Sequence, residues 1–382
     1  MSAIDFNQFS YFPALLAGDV EKHAFDELSD SSLDVTLPIF ELTRYRYEGD
    51  FGHSIKLLQG IPKERPYLLD LDKRVAPRPY QSSAPSDPAA EALRISEQTA
   101  SQMQFNAELD NLLRPTNGFE NWRNLTADFP EAVPVLQFTN PAAQQLNIIR
   151  QASLLSQGGR SIAMRIRGYM SEITCNIAAQ ILSMLASSSQ LLLIFDAGQG
   201  RRDLEARGQW IAHSLDSILS QVDIQQQAGL VAVAMSNSFN PPTHNGMREV
   251  TNRDWEVWSG AAETFSFRFG DYGGSPRTND ISSFVPRSFR ATVVYADDEI
   301  WLINRHENAG DPAGWVLGSQ AITNHIANQD EYSPIECWAN GIISQVAKTG
   351  ELGPSTTSRI WHAVRVNGHM ERQAKYSQGM CL

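Results

Sequence analysis

A closed (β/α)8 barrel is the fold class this sequence predicts, and three observations predict it. Eight short apolar segments alternate with helical patterns, mostly at intervals of roughly 25–35 residues, as parallel strands and their covering helices do. The segment Leu191–Asp196 (LLLIFD) is apolar at five consecutive positions and then meets an acid and a small-residue turn. A strand of that kind is buried on both faces, as in a parallel sheet with helices outside. Finally, no Gly-x-Gly-x-x-Gly follows the first strand, and the fragment Gly198-Gln-Gly200 is too short to count. The rival is a doubly wound open sheet, which the same alternation permits.

The elements run in order. Tyr11–Ala17 is the first strand and Asp19–Leu28 its helix, with Val20, Ala24 and Leu28 four apart. Leu33–Leu42 is the second strand and ends in Glu41; Phe51–Leu58 is a short helix. Tyr67–Asp72 is the third strand, ending in two acids. Val75–Pro88 then carries four prolines and three serines, which leaves few backbone donors for a regular element, so an exposed loop is expected. Glu91–Leu113 resumes as a long helix and Asn121–Phe129 as a short one. Because the strand–helix rhythm returns afterwards, residues 73–132 form an insertion and not a linker.

Val133–Phe138 is the fourth strand, and Pro141 stands at a favoured first helical position. Ser161–Arg167 is the fifth, followed by a helix with Ile173, Ile177 and Ile181 on one stripe. Leu191–Asp196 is the sixth, followed by Ile211, Leu215, Ile218 and Val222 at helical spacing. Gly229–Ser236 and Phe265–Gly270 are the seventh and eighth. A second insertion, 274–330, holds a hairpin: Arg290–Tyr295 and Glu299–Asn304 alternate around Ala296-Asp297-Asp298. Ile335–Lys348 is the expected eighth barrel helix, and Ser358–Gln373 a tail helix. The whole chain, 1–382, is thus expected to be a single barrel domain.

Composition narrows the function. With 43 acids against 31 lysines and arginines the formal charge is −12, which argues against a surface for duplex nucleic acid. No apolar run reaches the length of a spanning helix, and the start MSAIDFNQFS is not a signal peptide, so no membrane partner and a cytoplasmic location are expected. Cys175, Cys337 and Cys381 lack metal or disulfide spacing, and Cys175 reads as a small core residue.

The strand ends carry the chemistry. In a barrel the C-terminal rim is the active face, and it collects Glu41, Asp70, Asp72, Gln137, Arg165, Arg167, Asp196, Ser236, Asn237, Ser238 and Asp271. Asp196, Asp271, Glu41 and Asp70 are the candidate catalytic acids. Arg165, Arg167, Asn237, Gly270 and Gly273 are the candidate ligand contacts, the last two in a glycine-rich turn suited to phosphate. Carboxylates facing arginines can hold Mg2+ or Mn2+ and steer a phosphate, or pair with each other as a structural network. Trp255, Trp258, Trp301 and Trp315 gather near the eighth strand, either as core or as a patch for a protein partner.

Several stretches also resemble a known family. YFPALLAG, AFDEL and LPIFEL near the start, LLIFDAG, FRFGDYGG and VVYADDEIWLINR together resemble the beta protein family of phages, prophages and bacterial genomes. Members tend to carry a Lys and a Gly-Glu pair after the first strand, where this chain has Ala17-Gly18-Asp19-Val20-Glu21. The resemblance implies a phage or mobile-element setting and assigns no catalytic residue. Two functions follow. One is recognition of a protein partner or a phosphate-bearing small ligand at the rim, in phage–host conflict. The other is a metal-dependent phosphodiesterase or nucleotide hydrolase using the rim carboxylates and arginines. Acids lining a deep open pocket would favour the enzyme, whereas acids tied up by arginine would favour binding.

Overall fold

Alternation within each strand builds the barrel. In this computed structural model, residues 4–61, 65–76, 79, 87–168, 172–240, 243–276, 289–330 and 332–380 are described. The strands are β1 (Tyr11–Leu16), β2 (Ile39–Leu42), β3 (Tyr67–Leu71), β4 (Ala132–Pro134), β5 (Ile162–Arg167), β6 (Leu191–Gln199), β7 (Val231–Asn237), β8 (Gly246–Thr251), β9 (Arg268–Asp271), β10 (Arg290–Ala296) and β11 (Ile300–Ala309). Eight of them form one parallel sheet in the order β4-β3-β2-β1-β9-β7-β6-β5. Its two ends meet where Val135, just past β4, bridges Ala163 of β5 in parallel, and Leu136 N–H donates to Ala163 O at 2.8 Å. That contact brings the sheet round into a nearly closed barrel and removes the open-sheet rival.

One parity of each strand points inward and the other outward. Phe12 and Ala14, Ile39, Leu68, Val133 and Val135, Ala163, Leu192 and Ile194, and Val231 and Val233 fill the interior. Phe6 and Phe9, on a short turn before β1, join that cluster. The opposite parity, including Tyr11, Phe40, Leu69, Met164, Leu193, Phe195, Ala234 and Phe269, belongs to the outer core. The strands are buried on both faces as the apolar runs require.

Helices α1 (Asp19–Asp26), α2 (Asp30–Leu33) and α3 (Gly52–Gln59) follow the first strands. Between β3 and β4 lie α4 (Pro88–Leu112) and α5 (Thr116–Ala127). Asp87 caps α4 ahead of Pro88, and Asn140 caps α6 (Pro141–Leu155) ahead of Pro141. Then come α7 (Glu172–Met184), α8 (Leu204–Leu219), α9 (Ile224–Gln227) and α10 (Asp254–Ala262). Of the proline-rich loop, Val75 is exposed and Ala76 buried, while 77–78 and 80–86 lie outside the described residues.

The expected hairpin is present: β10 and β11 pair antiparallel from Val293↔Asn304 to Ala296↔Trp301, outside the barrel. Sequence patterning missed β8, which pairs with the other edge of β11. Its side chains are mostly exposed, so it lacks the apolar alternation that marks a strand. One face of this small sheet packs on α11 (Ala313–Ala327) and α12 (Trp338–Thr349) through Val293, Tyr295, Leu302, Trp315, Ile322 and Ile343.

The eighth barrel helix is not the expected one. Helix α12, expected in that place, packs on the outer sheet's cluster. The last helix, α13 (Ser358–Met380), lies instead against α1 and β1, with Ala363, Val366, Met370 and Ala374 in the barrel's outer core. It also contacts β10 and α12, so nearly every face is covered and its apolar stripe is diluted by buried polar residues. Trp301 and Trp315 are fully buried, Trp255 is buried, and Trp258 packs against the core. The aromatic group is therefore core and not an exposed patch.

Candidate functional site

The interior parity continues above the apolar layer and turns polar at the C-terminal rim. Two residues beyond Ile39, Leu68, Ala163 and Ile194 stand Glu41, Asp70, Arg165 and Asp196. In a barrel these positions form the next ring up, which is why four residues far apart in sequence converge.

Arg165 is the centre of that ring. Its Nη1 donates to Glu41 Oε1 at 2.6 Å and to Asp70 Oδ2 at 3.0 Å. Its Nε donates to Asp196 Oδ2 at 3.0 Å, with Nη2 2.9 Å from the same oxygen. All four side chains are buried. Tyr272 adds its hydroxyl, which donates to Asp196 at 2.8 Å and accepts from Arg165 Nη2 at 3.2 Å. Gln137 Nε2 donates to Asp70 Oδ1 at 2.9 Å, and the Gly198 N–H to Asp196 Oδ1 at 2.8 Å.

These contacts set the ionisation. Burial alone would raise the carboxyls of Asp70 and Asp196, but the Arg165 charge, helped by Lys73 and Arg167 at Asp70 and by Arg167 and the Tyr272 hydroxyl at Asp196, outweighs it. Both are held below the usual carboxylate range. Burial likewise opposes the charge of Arg165, and the surrounding acids restore it.

Above this ring opens a cavity of about 410 Å³. Its lining includes all four ring residues together with Asp72, Lys73, Arg74, Phe138, Arg167, Gly168, Gly198 and Tyr272. Arg74 is tied to Asp72 through two hydrogen bonds of 2.7 and 2.8 Å. Arg167 approaches Asp196 only at 3.6 Å, beyond hydrogen-bond distance. Lys73 donates to the Phe138 carbonyl at 3.0 Å, and burial brings its ammonium down to about 8 despite Asp70 nearby. Among the described residues the lining carries four acids and four bases, although the chain as a whole is strongly acidic.

Several expected site residues lie elsewhere. Asp271 has outward parity, opposite to Tyr272, and is buried under α13. It accepts from Tyr11 Oη at 2.8 Å and Gly273 N at 2.7 Å, and meets His369 Nε2 at 2.6 Å. Gly270 and Gly273 are close-packing positions: a Cβ on the first would meet Val233 at 2.8 Å, and on the second Leu15 at 2.6 Å. Asn237 donates to Ser275 O and accepts from Phe239 N, fixing two loops. Ser236 faces outward to Asp254, and Ser238 caps toward Arg253 N. None of these lines the cavity, whereas Lys73, Arg74 and Tyr272 do and were not anticipated. Parity would have found Tyr272, two positions beyond Gly270.

The ring does not fit a divalent cation. Its three acids already converge on a guanidinium, which occupies the place an ion would need. Among the described residues no group of three or more His, Cys, Asp or Glu is arranged to hold a metal. A metal-dependent hydrolase therefore finds no support in this ring.

The comparisons with known proteins bear on the same chain. A family model described as Beta protein matches residues 11–375. The chain belongs to the beta protein family. It is also 23% identical to Protein beta of Enterobacteria phage P4 over 381 residues, which is 98% of this chain and 96% of that one. No solved structure matches. The residues through which the chain resembles its family include the strand ends of this ring, since LPIFEL carries Glu41 and LLIFDAG carries Asp196. Among the described residues no helix is long and apolar enough to cross a membrane.

Proposed function

We propose that this beta protein family member is a recognition protein of a phage or mobile-element setting, and that it holds a small anionic ligand in the rim cavity. The observation that carries this is the division of labour among the charges. Arg165 engages all three acids of the floor but offsets only one of their three charges, while Lys73 and Arg167 present cationic groups at the cavity wall and bring the lining toward balance. A phosphate or carboxylate is the group such a wall favours. Kinship with a phage protein supports the setting, and a role in phage–host conflict is the reading it suggests. The acidic chain and the lack of disulfide spacing among its cysteines support a cytoplasmic partner other than duplex nucleic acid.

The test is a thermal-shift and calorimetric screen of the purified protein against inorganic phosphate, nucleotides and small carboxylates. At least one anion class should raise the melting temperature, and Arg167→Ala should weaken it about 10–100-fold, the worth of a charged hydrogen bond. If no anion binds, or Arg167→Ala binds as well as the parent, the proposal falls. Phage plating on cells expressing the two proteins then asks whether the cavity matters to conflict.

A further inference from the structure

Lys73 differs from the other cations of the cavity. The chain has six lysines against twenty-five arginines, and among the described residues this is the one lysine in the rim lining. It follows β3 directly, in the run Asp72-Lys73-Arg74. Its hydrogen bond goes to a carbonyl, Phe138 O, and its Nζ sits 5.2 Å from the centre of the Phe138 ring. The amine is thus fixed against one wall without being locked to a carboxylate. Arg167 and Arg165 face it from β5, and Asp70 and Glu41 from β3 and β2. A cavity of about 410 Å³ lies beside it, large enough for a compound of several heavy atoms.

An arginine at this point would serve for charge alone. A lysine adds what arginine lacks, a nitrogen that becomes a nucleophile once it releases its proton. Burial beside two guanidinium groups, offset in part by Asp70, brings this ammonium down to about 8, so a sizeable fraction is free amine at mildly alkaline pH.

We infer that Lys73 captures a small carbonyl compound bearing an anionic group, of the 2-oxo acid class, as a reversible imine, with Arg167 holding the anion. This rests on the anion-binding reading of the same cavity and deepens it. In the step, the Nζ lone pair attacks the carbonyl carbon, and the π electrons move to oxygen, which takes one proton from nitrogen. The carbinolamine then loses its hydroxyl together with the second nitrogen proton as water, leaving C=N. Hydrolysis reverses the sequence, and nothing is oxidised or reduced.

The experiment incubates the full chain with glyoxylate, pyruvate or 2-oxoglutarate at pH 8 and then reduces with sodium cyanoborohydride. Intact mass and peptide mapping should find one adduct per chain, on Lys73. The Lys73→Arg variant, checked for folding by circular dichroism, should lose it at least tenfold. Adducts that are absent, or spread over the other five lysines and unchanged in Lys73→Arg, overturn the inference. Calorimetry without reductant, using phosphate and lactate as anions that cannot form an imine, separates the two levels. Binding of these with no adduct overturns the imine and leaves the anion reading standing. Neither binding nor adduct overturns both.

Discussion

Arg165 holds three carboxylates on one guanidinium, and the physical chemistry of that arrangement decides what a substitution there does. Buried charges are tolerated only when paired, and taking one partner away leaves the other poorly solvated. Replacing Asp196 by Asn removes a charge and turns one oxygen into an amide that donates toward Arg165, which is also a donor. The expected outcome is a loss of about 3–5 kcal/mol, the range for breaking a buried pair, read by urea denaturation. A variant as stable as the parent would mean that Glu41 and Asp70 suffice to pair Arg165. The acids of this ring were legible in the sequence because each ends an apolar strand. Their common partner was not, because Arg165 is two residues from its strand's end and pairing depends on closure of the barrel. Asp271 lies outside the cavity for a simpler reason: nearness to a strand end does not fix which face a side chain takes, whereas strand parity does.

At the scale of elements, strands with a continuous apolar run were legible at their start, as with β6, which begins at Leu191 as expected but runs on to Gln199, three residues past Asp196. What escaped was exposed or doubly covered. Strand β8 has too few buried side chains to register, and α13 has too many polar ones. Asn367, His369, Glu371 and Gln373 are all fully buried on α13. Each has a partner that no local pattern reveals, such as Trp255 Nε1 at 2.7 Å from Gln373 Oε1 and the Ser29 hydroxyl at 2.9 Å from Glu371. Strand β9 makes the opposite point, since it has only four residues between β1 and β7 in the sheet and Gly270 sits where a side chain does not fit. A Cβ there would stand 3.0 Å from Phe12 O as well as 2.8 Å from Val233 Cγ1. Gly270→Ala should destabilise by about 1–3 kcal/mol through overpacking. A melting temperature at or above that of the parent would show that the barrel interior relaxes at this strand.

Across the whole molecule, barrel and outer sheet are joined by α13 and by one buried chain of hydrogen bonds. Trp301 of β11 donates to His369 Nδ1 at 3.2 Å, His369 Nε2 meets Asp271 at 2.6 Å, and Asp271 accepts from Tyr11 of β1. Asp254, at the start of α10, is buried beside this chain and accepts from Ser236 at 2.9 Å. Burial, and then the charge of Asp271, push its carboxyl up to about 7. The two sets of acids therefore act on global stability in opposite directions. Asp70 and Asp196, held below their ordinary range, contribute stability that is complete above about pH 4 and is lost as pH falls through their lowered values. Asp254 binds its proton more tightly folded than unfolded, so its contribution is intact below about pH 4 and drains away between about pH 4 and 7. Moving a carboxyl from about 4 to about 7 corresponds to about 4 kcal/mol against the folded state once it ionises. Asp254→Asn keeps the shape and the contact with Ser236 but has nothing to ionise. The variant should gain on the parent as pH rises, with a difference that grows from about pH 4 to about pH 7 and levels above that. Denaturation curves at those values measure it, and a difference that stays flat between them would contradict the buried position of the Asp254 charge.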